Sequence, residues 1–202
     1  MTLKKFTLRL LLAVVHMSVH AGFEDGVNAF HRGQYIIAAQ EWQPLATKGD
    51  PDAARNLAML YHRGLGFEVD FIKARYWYKI AALKCNATAQ NNLGLLLLNG
   101  QGGDKDLVGA FRLFEKAALQ GLHADSDAMG NLAGMYLNGQ GTQQNVIEAY
   151  KWYILYGEYT TDFANKQKLL AFMPQIEKLL TPTQKNEALR RVNAFTRVRC
   201  LP

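Results

Sequence analysis

The sequence predicts an all-α fold: a right-handed α-solenoid of stacked helical hairpins closed by a C-terminal helical cap. Three observations predict it. A self-similar unit recurs at a spacing of 36 and then 39 residues, and a glycine pair punctuates each unit at one register. The composition favours helix, with Ala, Leu, Lys and Gln abundant and only 5 prolines in 202 residues. An apolar fraction of 49% and a charged fraction of 20% exclude wholesale disorder. A chain of this length can bury a sizeable core.

The first element is a leader. Lys4, Lys5 and Arg9 precede the apolar run Leu10, Leu11, Leu12, Ala13, Val14 and Val15. Val19 and Ala21 then occupy the small-residue positions that signal peptidase reads. Residues 1–21 are expected to be a signal peptide cleaved near Ala21–Gly22, leaving a periplasmic or secreted chain. A bilayer span needs about 20 apolar residues, and this run is shorter. The rival reading is an amphipathic leader that stays attached. Without the leader, 20 basic residues face 17 acidic ones, and from Phe163 onward eight basic residues face two acidic ones. The body from Gly22 to Asp162 is therefore net acidic, at −3. No basic stripe runs through it, so nucleic acid is not an expected partner.

The repeats come next. Ala53, Leu57, Gly64, Gly66, Ala74, Tyr78, Ala81 and Ala82 each have a counterpart 36 residues on: Ala89, Leu93, Gly100, Gly102, Ala110, Phe114, Ala117 and Ala118. A further 39 residues lead to Ala128, Leu132, Gly139, Gly141, Ala149 and Tyr153. In the first segment of each unit Leu57, Leu60 and Tyr61 lie at helical spacing, and the glycine pair stops that helix. In the second segment Ala74, Tyr78, Ala81 and Ala82 form a stripe that packs back onto the first. Such a hairpin cannot bury both faces alone, so neighbouring hairpins complete the core. Phosphate cradling by the glycines is disfavoured, because that motif opens a helix after a strand. The domain plan is a divergent leading hairpin at 22–52, repeats at 53–88, 89–127 and 128–157, and a basic helical cap at 158–202.

These units, A-x-x-x-L followed by G-x-G and then A-x-x-[WL]-[YF]-x-x-A-A, resemble the Sel1-like repeat, a relative of the tetratricopeptide repeat, in its exported bacterial form. The resemblance covers roughly residues 53 to 157 and implies a protein-binding scaffold. Gly26 to Gly49 resembles a leading hairpin, with Ala38, Trp42 and Ala46 standing 36 residues before Ala74, Tyr78 and Ala82. The last unit decays, Tyr156 and Gly157 replacing the alanine pair, as a terminal repeat does.

Beyond the repeats, Phe163 to Met173 has helical periodicity that Pro174 is expected to kink or restart. Thr181, Pro182 and Gln184 form a helix start with a capping box. The helix that follows is expected to bury Ala188, Leu189, Val192 and Phe195. Arg190, Arg191, Arg197 and Arg199 are the candidate basic surface for an acidic partner or anionic lipid.

No catalytic constellation emerges. His31, His62 and His123 each stand alone, and Ser126 is the only serine after the leader. There is no His-x-x-x-His, Cys-x-x-Cys or Gly-x-Ser-x-Gly, so neither metal nor cofactor is expected. Cys85 stands where Gly49 and Gly121 occupy the same register, and it lies 115 residues from Cys200. Several stacked helices separate the two, so both are expected as free or independently buried thiols. Exported relatives that resemble β-lactam-hydrolysing proteins carry a cysteine pair in every repeat, which this sequence lacks.

The expected function is therefore a non-catalytic protein–protein interaction module, binding a protein or peptide on the concave face. Asn56, Asn92 and Asn131 recur before the conserved-register leucine, followed by Met59, Leu95 and Gly134, then His62, Leu98 and Leu137. By analogy with tetratricopeptide repeats these line the groove, an amide ladder over an apolar floor. The rival reading has each Asn satisfying backbone in the helix seam. Alternatives for the whole chain are an accessory or regulator of cell-envelope enzymes, a membrane-surface protein using its basic helix and, remotely, a β-lactamase-like hydrolase.

Overall fold

The computed structural model describes residues 22–120 and 125–195. The leader and His123, Arg197, Arg199 and Cys200 lie outside these residues. Helices follow one another with short connections: α1 (22–31), α2 (Tyr35–Thr47), α3 (Pro51–Arg63), α4 (Phe71–Leu83) and α5 (Ala87–Asn99). Then come α6 (Leu107–Leu119), α7 (Ser126–Asn138), α8 (Val146–Tyr159), α9 (Phe163–Glu177) and α10 (Pro182–Asn193). The chain divides into two compact units, one ending at Ala81 and one beginning at Ala82.

Every helix of the three repeats starts at an Asx residue in register. Asp50, Asn86 and Asp125 accept hydrogen bonds from the backbone N–H of Ala53, Ala89 and Ala128, starting α3, α5 and α7. Asp70, Asp106 and Asn145 do the same for Lys73, Gly109 and Glu148, starting α4, α6 and α8. The backbone N–H of Asp70, Asp106 and Asn145 also donates to the carbonyls of Tyr61, Leu97 and Tyr136. Each connection is thus tied back to the helix it leaves.

The two glycines of a pair do different work. Gly64, Gly100 and Gly139 adopt φ of 66°, 69° and 64° and close the first helix in the left-handed conformation. The second glycine lets the loop press onto the preceding hairpin. A Cβ on Gly66 would lie 2.9 Å from Tyr35 Cβ and 3.2 Å from the Ile36 nitrogen, at the start of α2. A Cβ on Gly141 would fall on the Leu107 carbonyl, at the start of α6. Stopping the helix is the task of the first glycine; at Gly66 and Gly141 the second sets how closely the loop meets the preceding hairpin.

In the first unit, Trp42 of α2 is buried against Phe23 and Phe30, and its Nε1 donates to the Phe23 carbonyl at 3.2 Å. Gly26 has no Cβ because the Trp42 indole occupies that space. Ala53, Leu57, Ala74 and Tyr78 are all buried, as the repeat stripe requires.

In the second unit, α5 pairs with α6 and α7 with α8, while α6 packs on α7. Phe114, Leu132, Met135, Trp152 and Leu155 anchor its core. Small residues permit close approach: a Cβ on Gly94 would sit 2.7 Å from the Phe114 ring.

The C-terminal helices use α8 as their support. Thr181 and Gln184 form the expected capping box. Ala188 is buried with Tyr150 and Ile176, and Phe195 meets Trp152 edge-on at 5.4 Å. Leu189 departs from expectation, remaining 39% exposed. Pro174 does not restart the helix: α9 is continuous across it. The helix runs through it to Glu177, and Pro174 is itself exposed, so its ring meets solvent. Glu148 of α8 clamps the cap, accepting from Lys151 at 2.6 Å and from Arg191 at 2.6 Å. Arg191 also bonds Glu187 at 2.8 Å.

Burial alone would raise the Glu148 pKa, but the hydrogen bonds from Lys151 and Arg191 overcome it and hold the carboxyl below its ordinary value. A depressed carboxyl stabilises the fold above the ordinary glutamate range and loses that contribution as pH falls through its folded value. Glu148→Gln is expected to cost about 2 kcal/mol at neutral pH. The gap to wild type should close as pH falls below the ordinary glutamate range, read by thermal melts.

Cys85 also departs from expectation. It is disulfide-bonded, and the sequence offers a single other cysteine, Cys200. The free-thiol expectation assumed a tail that leads away from the stack. Instead α10 returns along α8, bringing Val192 and Phe195 onto the cluster that includes Ala87, two residues from Cys85.

Candidate binding site

A cavity of about 430 Å³ opens in the second unit, lined from four helices. Asn91, Asn92 and Leu95 come from α5, Asp127, Gly130 and Asn131 from α7, Tyr153 and Tyr156 from α8, and Asn165 from α9. Helical spacing explains the sets: 127, 130 and 131 share one face of α7, and 153 and 156 one face of α8. The glycines of α7 lie alongside the α8 aromatics, at distances a methyl group would also fit. A Cβ on Gly130 would touch the Tyr156 ring at 3.5 Å, and one on Gly134 the Tyr153 hydroxyl at 3.7 Å.

Tyr153 stands in the register of Tyr78 and Phe114, both fully buried, yet is itself only half-buried. The reason is its place at the end of the repeats. Around it Phe172 and Leu169 of α9 meet Tyr153 and Gly157 of α8. Tyr153 packs edge-on against Phe172 at 5.6 Å. Burial raises the Tyr156 hydroxyl above its ordinary value; hydrogen bonds with Thr160 and Asn165 oppose this, and the Asp127 and Asp162 carboxylates add to it. Asn131 Nδ2 donates to Asn91 Oδ1 at 2.9 Å, bridging α5 and α7.

The family model described as Sel1 repeat matches residues 51–84, 87–122 and 126–155. The chain belongs to the Sel1 repeat family. A solved Sel1 repeat protein from Oxalobacter formigenes is similar over 95% of this chain and 94% of that one, with a TM-score of 0.65 at 19% identity. A protective antigen of uropathogenic Escherichia coli strains, displaying an SLR fold, matches 87% of this chain and 45% of its own, with a TM-score of 0.58 at 24% identity. These likenesses establish the solenoid of helical hairpins as the fold. No curated protein matches the chain. Sel1 repeats generally mediate protein–protein interaction.

Within this Sel1 repeat protein the amide residues separate. Asn92 and Asn131 line the cavity with Leu95, while Asn56 is buried at 7% exposure in the first unit. Asn131 bonds Asn91, not its repeat counterpart Asn92. Asn131 thus bridges two helices through a side-chain partner, with no backbone bond of the kind the rival reading expected, and it also lines the cavity. Leu98 and Leu137 pack against the core clusters, and Met59 is half-buried in the first unit. His62 is packed, its ring edge-on to Phe71 and Tyr78 with Nδ1 3.4 Å from the Tyr78 hydroxyl. Burial, and then Arg63, hold its imidazole below the ordinary value. Arg190 and Arg191 are engaged by Glu187, and Arg191 also by Glu148.

Tyr153, Tyr156, Asp127 and Asn165 had no signal as site residues in the sequence. The register even places Tyr153 in the core. Only the decay of the alanine pair at Tyr156 and Gly157 marked this repeat as the one whose stripe is left without a following repeat. Among the described residues no group of His, Cys, Asp and Glu could hold a metal ion, and no helix is long and apolar enough to cross a membrane.

Proposed function

We propose that this Sel1 repeat protein is a non-catalytic interaction module of the cell envelope or exterior, holding a peptide segment of a protein partner in the cavity between α5, α7, α8 and α9. The convergence of Asn92, Leu95 and Asn131 with two tyrosines carries the reading. Side-chain amides pair with a peptide main chain, and tyrosines offer contact area at low entropy cost. Export is supported by the leader pattern and by the disulfide at Cys85, because such bonds persist in oxidising compartments.

The test is a crosslinked pull-down from envelope extract with wild type and an Asn92→Ala/Asn131→Ala double variant. Loss of about ten-fold or more of a captured partner is expected from the variant, since each lost buried amide contact is worth about 1 kcal/mol. Equal recovery of every partner removes the cavity from the function. Fractionation of cells expressing the full chain tests the location, with the processed form expected outside the cytoplasm.

A further inference from the structure

The cavity carries a charge preference that the fold does not require. Asp127 is the one ionisable side chain of full charge among its lining residues, the rest being amides, tyrosines, Leu95 and Gly130. Two further carboxylates stand close by. Asp125, the cap of α7, is near enough to Asp127 for the two charges to repel, and Asp162, the cap of α9, acts with Asp127 on the Tyr156 hydroxyl. Among the described residues no lysine or arginine lines the cavity; Lys166 and Lys168 of α9 are exposed outside it.

We propose that the cavity receives a primary ammonium group of the bound peptide, either a lysine side chain or a free N-terminus, held at Asp127 and flanked by Tyr153 and Tyr156. This rests on the peptide-binding reading above and sharpens it. An ammonium gains three times over here. It donates to the Asp127 carboxylate, it lies near electron-rich tyrosine faces, and its remaining N–H groups have side-chain amide oxygens of asparagine in reach. A carboxylate or phosphate would meet three like charges with no cation among the described lining residues to offset them. The volume suits one extended side chain with its flanking main chain. The carboxylates of Asp125 and Asp162 are committed to backbone N–H groups, of Ala128 and Asn165, so Asp127 is the contact and the other two supply field. Asp127 lies in the first turn of α7 and is exposed, so changing it leaves the core intact.

Nuclear magnetic resonance titrations of the isotope-labelled chain test this with three probes. They are acetyl-Ala-Lys-Ala-amide, its isosteric norleucine analogue, and Ala-Ala-Ala-amide with a free N-terminus. The expected result is movement of the Asn92, Gly130 and Asn131 resonances by one ammonium-bearing probe, at about five-fold or greater preference over norleucine. Whichever of the two moves them assigns the source of the group. Asp127→Asn, checked for an unchanged fold by circular dichroism, is expected to abolish the preference. Equal response to the norleucine probe, or a preference that survives Asp127→Asn, overturns the inference while leaving peptide binding in place. No movement by any probe overturns the inference as well; the peptide-binding reading then stands or falls by the Asn92→Ala/Asn131→Ala pull-down.

Discussion

Replacing Cys85 by serine is expected to lower the stability of the oxidised chain by about 2–4 kcal/mol, and to change the reduced chain little. A bond to the one other cysteine of the sequence, 115 residues further on, restricts the unfolded chain over more than half of its length. Cys85 is moreover the one non-glycine residue with positive φ among the described residues, at 59°, in the register where Gly49 adopts 87°. A side chain in that conformation costs about 1–2 kcal/mol. Cys85→Gly should therefore recover about 1 kcal/mol relative to Cys85→Ser, although both lack the bond. Chemical denaturation with and without reductant measures all of these. A wild type insensitive to reductant would show that the bond contributes nothing to stability.

Gly141→Ala is expected to cost about 3–4 kcal/mol, well beyond the 1–2 kcal/mol or so expected of Gly139→Ala. Both glycines are left-handed, at 68° and 64°, so the backbone term is common to the two. The difference is what the new methyl meets. At Gly139 the nearest atom is the Gln144 nitrogen at 3.3 Å, in the same loop, which can shift slightly. At Gly141 it is the Leu107 carbonyl, fixed in the first turn of α6. The loop must lift or the hairpins must part. Thermal melts of the two variants side by side decide the matter; equal losses would mean that the second glycine serves φ alone.

That contrast shows what could be read from residues and what could not. The repeat of Ala53, Leu57, Gly64 and Tyr78 at a fixed spacing dictates paired helices and names their buried face, because the side-chain period of a helix is a local property. The glycine pair was legible as a break, yet its two members looked alike. The second is distinguished only by the Tyr35 Cβ and Ile36 nitrogen, or the Leu107 carbonyl, that a Cβ would strike, and no spacing along the chain reveals that approach. Asn92, Leu95 and Asn131 were legible as one face of successive first helices, and they do meet in one cavity.

Leu98, Leu137 and Asn56 shared that register but are absorbed by packing. The register gives a direction from the helix axis, and the distance to the next helix decides whether that direction ends in solvent or in protein. Tyr153 illustrates the converse: a core position becomes a cavity wall because the repeats end there.

By itself, the sequence determined that the chain is helical, that its helices pair as Sel1 repeats, and which side of each helix is apolar, since propensity, capping and periodicity act over a few residues. The return of α10 along α8, the oxidation of Cys85, the clamp on Glu148 and the acidic, tyrosine-walled cavity were decided only by tertiary structure. Each depends on atoms brought together from distant segments, and such meetings are selected by the packing free energy of the whole unit.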